Sequence, residues 1–282
     1  MKNLLFTSLL LVFFNVAAFA QQPANPAASP TPQGARRPPQ AKTHAEFNDY
    51  NTAYAITGGA AMEKAADDFA AKYPTSELRP FLYSKAMHEY QTENNPPKIL
   101  AMGDKVLSLD PDNTVALVMT ATVLSDMLSD PAQANDQKAA DIRKNAGRAL
   151  QTIDSSFVAP AGATADQIAS YKNMLQAMAH SALGITDLKL GDDAGAEKEL
   201  RTAADLGKAQ PDAYVWYHLA LAQDHQKKYT EALASIDQAL KYVQPTADLA
   251  KLAAGERTRL QTLTGTAPSG QQPPANSSQP PL

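Results

Sequence analysis

From Ala213 to Pro245, large and small apolar residues alternate at helical spacing in two blocks. The first holds Trp216, Tyr217, Leu219 and Ala220. The second holds Tyr229, Ala232, Leu233, Ile236, Ala239 and Leu240, and the polar run Gln226-Lys227-Lys228 separates the two. Residues three and four apart share one face of a helix, so each block reads as a helix with an apolar stripe. The small residues on that stripe let a neighbouring helix approach closely. A hairpin of two such helices cannot bury its stripe alone. This stretch therefore demands a helical fold with further helix pairs elsewhere in the chain.

The pattern recurs upstream. His180 stands 36 residues before Trp216 and is followed by Leu183-Gly184, a turn at Gly191-Asp192-Asp193, then Ala196, Leu200, Ala203-Ala204 and Leu206. Leu107-Ser108-Leu109-Asp110-Pro111-Asp112-Asn113 reads as the end of another unit, because Pro111 cannot continue a helix and Asp112 or Asn113 can cap the next. The first helix of that unit carries Phe81, Tyr83, Ala86, Met87 and Tyr90. Its second opens at Pro96-Pro97, which suits a first helical turn. With a period close to about 34 residues, the chain resembles the tetratricopeptide repeat (TPR) proteins. The segment Ala65-Ala66-x-x-Phe69-x-x-Lys72-Tyr73-Pro74-x-Ser76 is also similar to repeats of periplasmic cell-envelope proteins, including outer-membrane assembly lipoproteins.

The resemblance implies an all-α fold, a right-handed α-α superhelix. It would be a TPR-like solenoid of about five helix pairs plus a C-terminal capping helix. The pairs begin with a helix near 44–56 and a turn at Gly58-Gly59. A less regular pair follows Asn113, with Thr114 to Leu128 and Asp136 to Ile153 as its helices and Ser129 to Asn135 as an enlarged turn. Thr164-x-x-Gln167 is a capping box that opens a long helix to about Leu190. Residues 246–263 place Leu249, Leu252, Leu260 and Leu263 on one face, the cap a solenoid needs at its last exposed end.

The two ends differ from this interior. Lys2, the apolar run Leu4 to Val16 and Ala18-Phe19-Ala20 before Gln21 form a secretory signal pattern over 1–20. The run is too short and too interrupted for the roughly 20 apolar residues of a membrane span. Residues 21–41 and 265–282 are rich in Pro, Ala, Gln and Ser and are expected to be disordered, because they lack the apolar residues to offset ordering entropy. The helical domain then covers 42–264. The expected protein is exported, periplasmic or secreted, with no stable membrane insertion after cleavage. Asn276-Ser277-Ser278 matches a glycosylation acceptor pattern.

Composition narrows the chemistry. The chain has no cysteine, which removes disulfides, thiolate metal sites and a lipid anchor at the cleavage site. Its 25 Lys and Arg against 29 Asp and Glu are dispersed, so the clustered positive field of a nucleic-acid interface is missing. His44, His88, His180, His218 and His225 follow no metal-binding spacing. His218 and His225 sit two turns apart, about 10 Å along a helix. No nucleophile elbow, phosphate loop or dinucleotide fingerprint occurs. The expectation is a protein that is not an enzyme and has no catalytic, cofactor or metal residues.

What remains is a binding surface. In TPR proteins the first helix of each pair lines a concave groove for peptides or partner helices. Carried onto this chain, that implies Phe81, Ser84, Lys85, His88 and Gln91 in one pair. It implies Met178, Ser181, Ala182, Ile185 and Lys189 in the fourth pair, and Tyr214, Tyr217, His218, Leu221 and His225 in the fifth. The Lys and Asn set with which chaperone-binding members hold a terminal carboxylate is missing, since Lys85 and Lys189 stand isolated. The expected function is a non-catalytic scaffold of the cell envelope that binds a partner protein or peptide. Two other readings stay open: a structural subunit of an envelope assembly machine, and a glycan- or small-ligand-binding accessory to an envelope hydrolase.

Overall fold

A computed structural model describes residues 36–128, 136–159 and 162–266. Among them are eleven α-helices and no β-strand. The first four are α1 (His44–Tyr54), α2 (Gly59–Lys72), α3 (Arg79–Thr92) and α4 (Pro96–Leu109). Next come α5 (Thr114–Asp126), α6 (Asp136–Ser156) and α7 (Ala165–Lys189). The last are α8 (Asp193–Leu206), α9 (Ala213–His225), α10 (Tyr229–Tyr242) and α11 (Asp248–Leu263). The expected all-α fold of helix pairs closed by a C-terminal helix is the fold observed. The leader, the acceptor pattern at Asn276 and the turn Ser129–Asn135 lie outside the described residues.

The described residues begin inside the arm expected to be disordered through Ala41. The Arg36 guanidinium holds both oxygens of Asp110 at 2.7 and 2.8 Å, Arg37 pairs with Glu77 at 2.5 Å, and Ala41 is buried. Two charges with partners tens of residues away fix a segment whose proline content reads as a tail.

Local signals start and stop the helices as the residues require. Thr43 accepts the Glu46 N–H at 3.1 Å while Glu46 accepts the Lys42 N–H at 2.7 Å, an N-terminal cap made from both sides of α1. The box at Thr164 is reciprocal too: the Thr164 N–H donates to Gln167 Oε1 at 2.9 Å, and the Gln167 N–H to Thr164 Oγ1 at 3.3 Å. Asn95 caps α4 and Asp192 caps α8. Gly191, at φ 81°, occupies the left-handed conformation that ends α7.

The chain forms two compact units. One comprises 36–123, 144–159 and 162–175 of the described residues; the other comprises 124–128, 136–143 and 176–266. In the first, α1, α2, α3 and α4 pack in series, and α1 also meets α3. Tyr50, Met62, Leu78, Leu82, Met87, Ile99 and Met102 are its fully buried large side chains from this series. In the second, α8, α9, α10 and α11 pack in series. Its core joins Leu200, Leu219, Ala220, Ala232, Ile236, Ala239, Leu249 and Leu260, and Trp216 lies partly buried against that core. Contact mainly between sequence neighbours is the connectivity of helical repeats. Among the described residues, no helix is long and apolar enough to cross a membrane.

Candidate functional site

In the first unit, the candidate residues lie on α3. Phe81, Ser84, Lys85 and His88 are half-buried, while Gln91 is buried. Lys85 pairs with Glu89 and lies over the Tyr54 ring at 6.0 Å from its centre. Glu89 in turn accepts the Gly58 N–H at 2.7 Å, so this ion pair fastens the start of α2 to α3. His88 Nδ1 is 3.4 Å from Gln91 Oε1, and burial lowers the imidazole's affinity for a proton. The charge expected to meet a ligand is therefore tied into the joint between two helices.

In the second unit, the candidates lie on α7 and α9. Met178, Ser181 and Tyr214 are half-buried, which leaves part of each side chain accessible. Four others lie in the packed interior. Ile185, Tyr217, His218 and Leu221 are 2%, 4%, 5% and 1% exposed, and Ala182 is buried with them. A groove residue needs an open side of its helix. Helix α9 is apolar nearly all round, and ten of its residues, from Ala213 to Asp224, are buried. His225 is half-buried, but its Nδ1 lies 2.8 Å from Asp193 Oδ1, which links the end of α9 to the start of α8.

Helix α9 begins where Asp212 caps it, its carboxylate accepting the Tyr214 N–H at 2.8 Å. That places the Tyr214 hydroxyl against Asp126, to which it donates at 3.1 Å. The Tyr214 and His218 rings are tilted with centres 4.1 Å apart, and His218 Nδ1–H donates to the Tyr214 carbonyl at 2.9 Å. Lys189, at the end of α7, donates to the carbonyls of Ser125 and Leu128 at 3.1 and 3.2 Å. Carbonyls at a helix C-terminus carry partial negative charge and attract such a cation.

These surroundings shift the ionisable groups in opposite senses. Burial pushes the Asp126 carboxyl up to about 7, against the pull of the Tyr214 hydrogen bond and the Lys189 charge. Burial pushes His218 down to about 4 despite its bond to the Tyr214 carbonyl. It also raises the Tyr217 hydroxyl to about 12, and that oxygen has no hydrogen-bond partner. Asp126 was not singled out from the sequence. It ends the helix of an irregular pair, and its partner Tyr214 lies 88 residues away, so no local pattern marks it.

Elsewhere in this unit, polar side chains serve as joints. Glu197 gathers Arg201, Lys228 and Gln226 at 2.7, 2.6 and 3.0 Å. Burial works to raise its proton affinity, but the bonds from Lys228, Arg201, Gln226 and Gln223 outweigh it and hold the carboxyl at about 2. His180 meets Glu199 at 2.6 Å across α7 and α8. Among the described residues, no group of three His, Asp or Glu side chains is placed to hold a metal ion.

No protein-family model and no curated protein matches the chain. Among solved structures, the chain is similar to the MamA protein, with 15% identity over 66% of this chain and 83% of that one, at a TM-score of 0.43. It is also similar to TTC0263, a thermophilic TPR protein of Thermus thermophilus. There the identity is 14% over 75% of this chain and 98% of that one, at a TM-score of 0.47.

Proposed function

We propose that this chain is a non-catalytic scaffold, exported to the cell envelope, that binds a partner protein or peptide through the first helices of its pairs. The observation that carries this reading is the division of labour among polar side chains in the second unit. Glu197, His180 and His225 join neighbouring helices, which makes the repeats a stiff frame. Met178, Ser181 and Tyr214 keep partly accessible side chains on α7 and α9. A frame of helices offering a thioether, a hydroxyl and part of an aromatic ring suits a neutral or partly apolar ligand. The leader pattern at 1–20 supports export, with the mature chain starting at Gln21.

Two measurements test the reading. Crosslinking in living cells followed by mass spectrometry is expected to recover one protein or a family of peptides joined to this chain. Recovery of no protein rejects the scaffold. Sequencing the N-terminus of the mature protein is expected to begin at Gln21, and a retained Met1 rejects export by cleavage.

A further inference from the structure

Three helix ends of the second unit meet around Asp126: the last turn of α5, the last turn of α7 and the first turn of α9. Each nearby cation is engaged with backbone. Lys189 donates to the carbonyls of Ser125 and Leu128, and Lys138 of α6 reaches the Met127 carbonyl at 3.4 Å. Asp126 forms no ion pair among the described residues and accepts one hydrogen bond, from Tyr214. As the last residue of α5 it also sits at the negative end of the helix dipole, where a second negative charge is disfavoured. Its environment thus favours a neutral carboxyl, and a carboxylate here is a partly desolvated charge without a counter-ion.

We propose that the Asp126–Tyr214 contact is a proton-operated latch that holds the end of α5 to the start of α9 and loosens when Asp126 ionises. The groups that act on the carboxyl are Tyr214 and Asp212 from α9 and Lys189 from α7, with His218 of α9 beside Tyr214 and Lys138 of α6 at the neighbouring Met127 carbonyl. The Asp212 charge works with burial against ionisation, and Lys189 works against both. His218 takes up its proton only near pH 4, and the Tyr214 hydroxyl keeps its own well above the ordinary phenol range, chiefly through burial. Asp126 is the member of the α5–α9 contact that changes charge near neutrality. Ionisation strengthens the single Tyr214 hydrogen bond. It also creates a charge that gains more by turning to water than by staying between two helix ends, so the contact opens.

The latch shares Tyr214 with the proposed binding surface, and it is tested on the full chain by readouts that need no ligand. Amide exchange of residues 124–128 is followed at pH 6.0 and pH 8.5 and corrected for intrinsic rates. In the wild type, protection is expected to fall about tenfold between the two. In Asp126→Asn, an uncharged isostere that can still accept the Tyr214 bond, it is expected to stay constant. Equal behaviour of the two proteins, whether both fall or neither does, overturns the latch. Carboxyl-carbon NMR of the wild type gives a second reading that no variant can confound. A titration midpoint near 7 for Asp126 supports the latch, and a midpoint near 4 overturns it even if Asp126→Asn fails to fold.

Discussion

Arg259 on α11 lies 2.5 Å from the carboxylate of Asp224 on α9, and the same guanidinium holds Glu256. Asp224 and Glu256 are 6% and 5% exposed, so one side chain neutralises two buried acids and docks the closing helix. Removing it leaves both charges buried without a counter-ion. Arg259→Ala is therefore expected to destabilise the second unit by about 3–5 kcal/mol, the usual cost of breaking a buried pair from one side. Urea unfolding measures it, and a loss below about 1 kcal/mol contradicts the role given to this pair.

The opposed shifts of Asp126 and His218 predict two stability slopes that hide each other. His218 stays neutral in the folded chain down to about 4, below its value when unfolded. Its contribution is complete above about 6.5 and is lost as pH falls to about 4. Asp126 holds its proton up to about 7 when folded. The unfolded chain gives that proton up near 3.9, so stability is lost as pH rises from there to about 7. Each slope spans on the order of 3 kcal/mol, since a tenfold change in proton affinity corresponds to about 1.4 kcal/mol. Thermal melts between pH 4 and 7 are expected to be nearly level in the wild type. They should rise with pH in Asp126→Asn and fall with pH in His218→Gln. The same slope in both variants contradicts the assignment.

Glycines on two helices of the second unit should respond to alanine with opposite signs. A Cβ on Gly184 would stand 2.6 Å from Leu200 Cγ and 3.2 Å from the Ala196 carbonyl, the close approach of α7 to α8. Gly184→Ala is expected to cost about 1–3 kcal/mol through overpacking, despite alanine's better helix propensity. At Gly255 on α11 a Cβ meets nothing within 4 Å, and Gly255→Ala should stabilise by up to about 1 kcal/mol. Denaturant midpoints of the two variants decide it. A stabilising Gly184→Ala removes the tight contact from the account.

Tyr217 separates packing from recognition. It is a core residue of the second unit, so Tyr217→Ala is expected to cost about 3–5 kcal/mol of stability, as other buried aromatic truncations do. Met178→Ala and Ser181→Ala should leave the melting midpoint within about 1 kcal/mol of wild type while weakening partner capture. Loss of capture in Tyr217→Ala with unchanged stability would restore it to the binding surface.

The helix pairs were legible because their signals are local. Gly58, Pro96, Gly191 and the Thr164–Gln167 box act within one turn of chain, and the small-residue positions Gly184, Ala220 and Ala239 are where helices come together. The site was legible only in part. Spacing places Tyr217, His218, Leu221 and Ile185 on a helix face, but whether that face is open depends on what packs beside it. A helix apolar nearly all round, such as α9, gives no stripe by which to tell. Asp126 and Arg36 became visible only in three dimensions, since their partners Tyr214 and Asp110 are 88 and 74 residues away.

The scaffold reading stands or falls on whether Ser181 faces a partner in the cell. A photo-crosslinking amino acid placed at Ser181 is compared with the same group at Lys251, an exposed position on α11. The account predicts a discrete protein adduct from Ser181 and none from Lys251. No protein adduct at Ser181, or the same adducts from both positions, contradicts it.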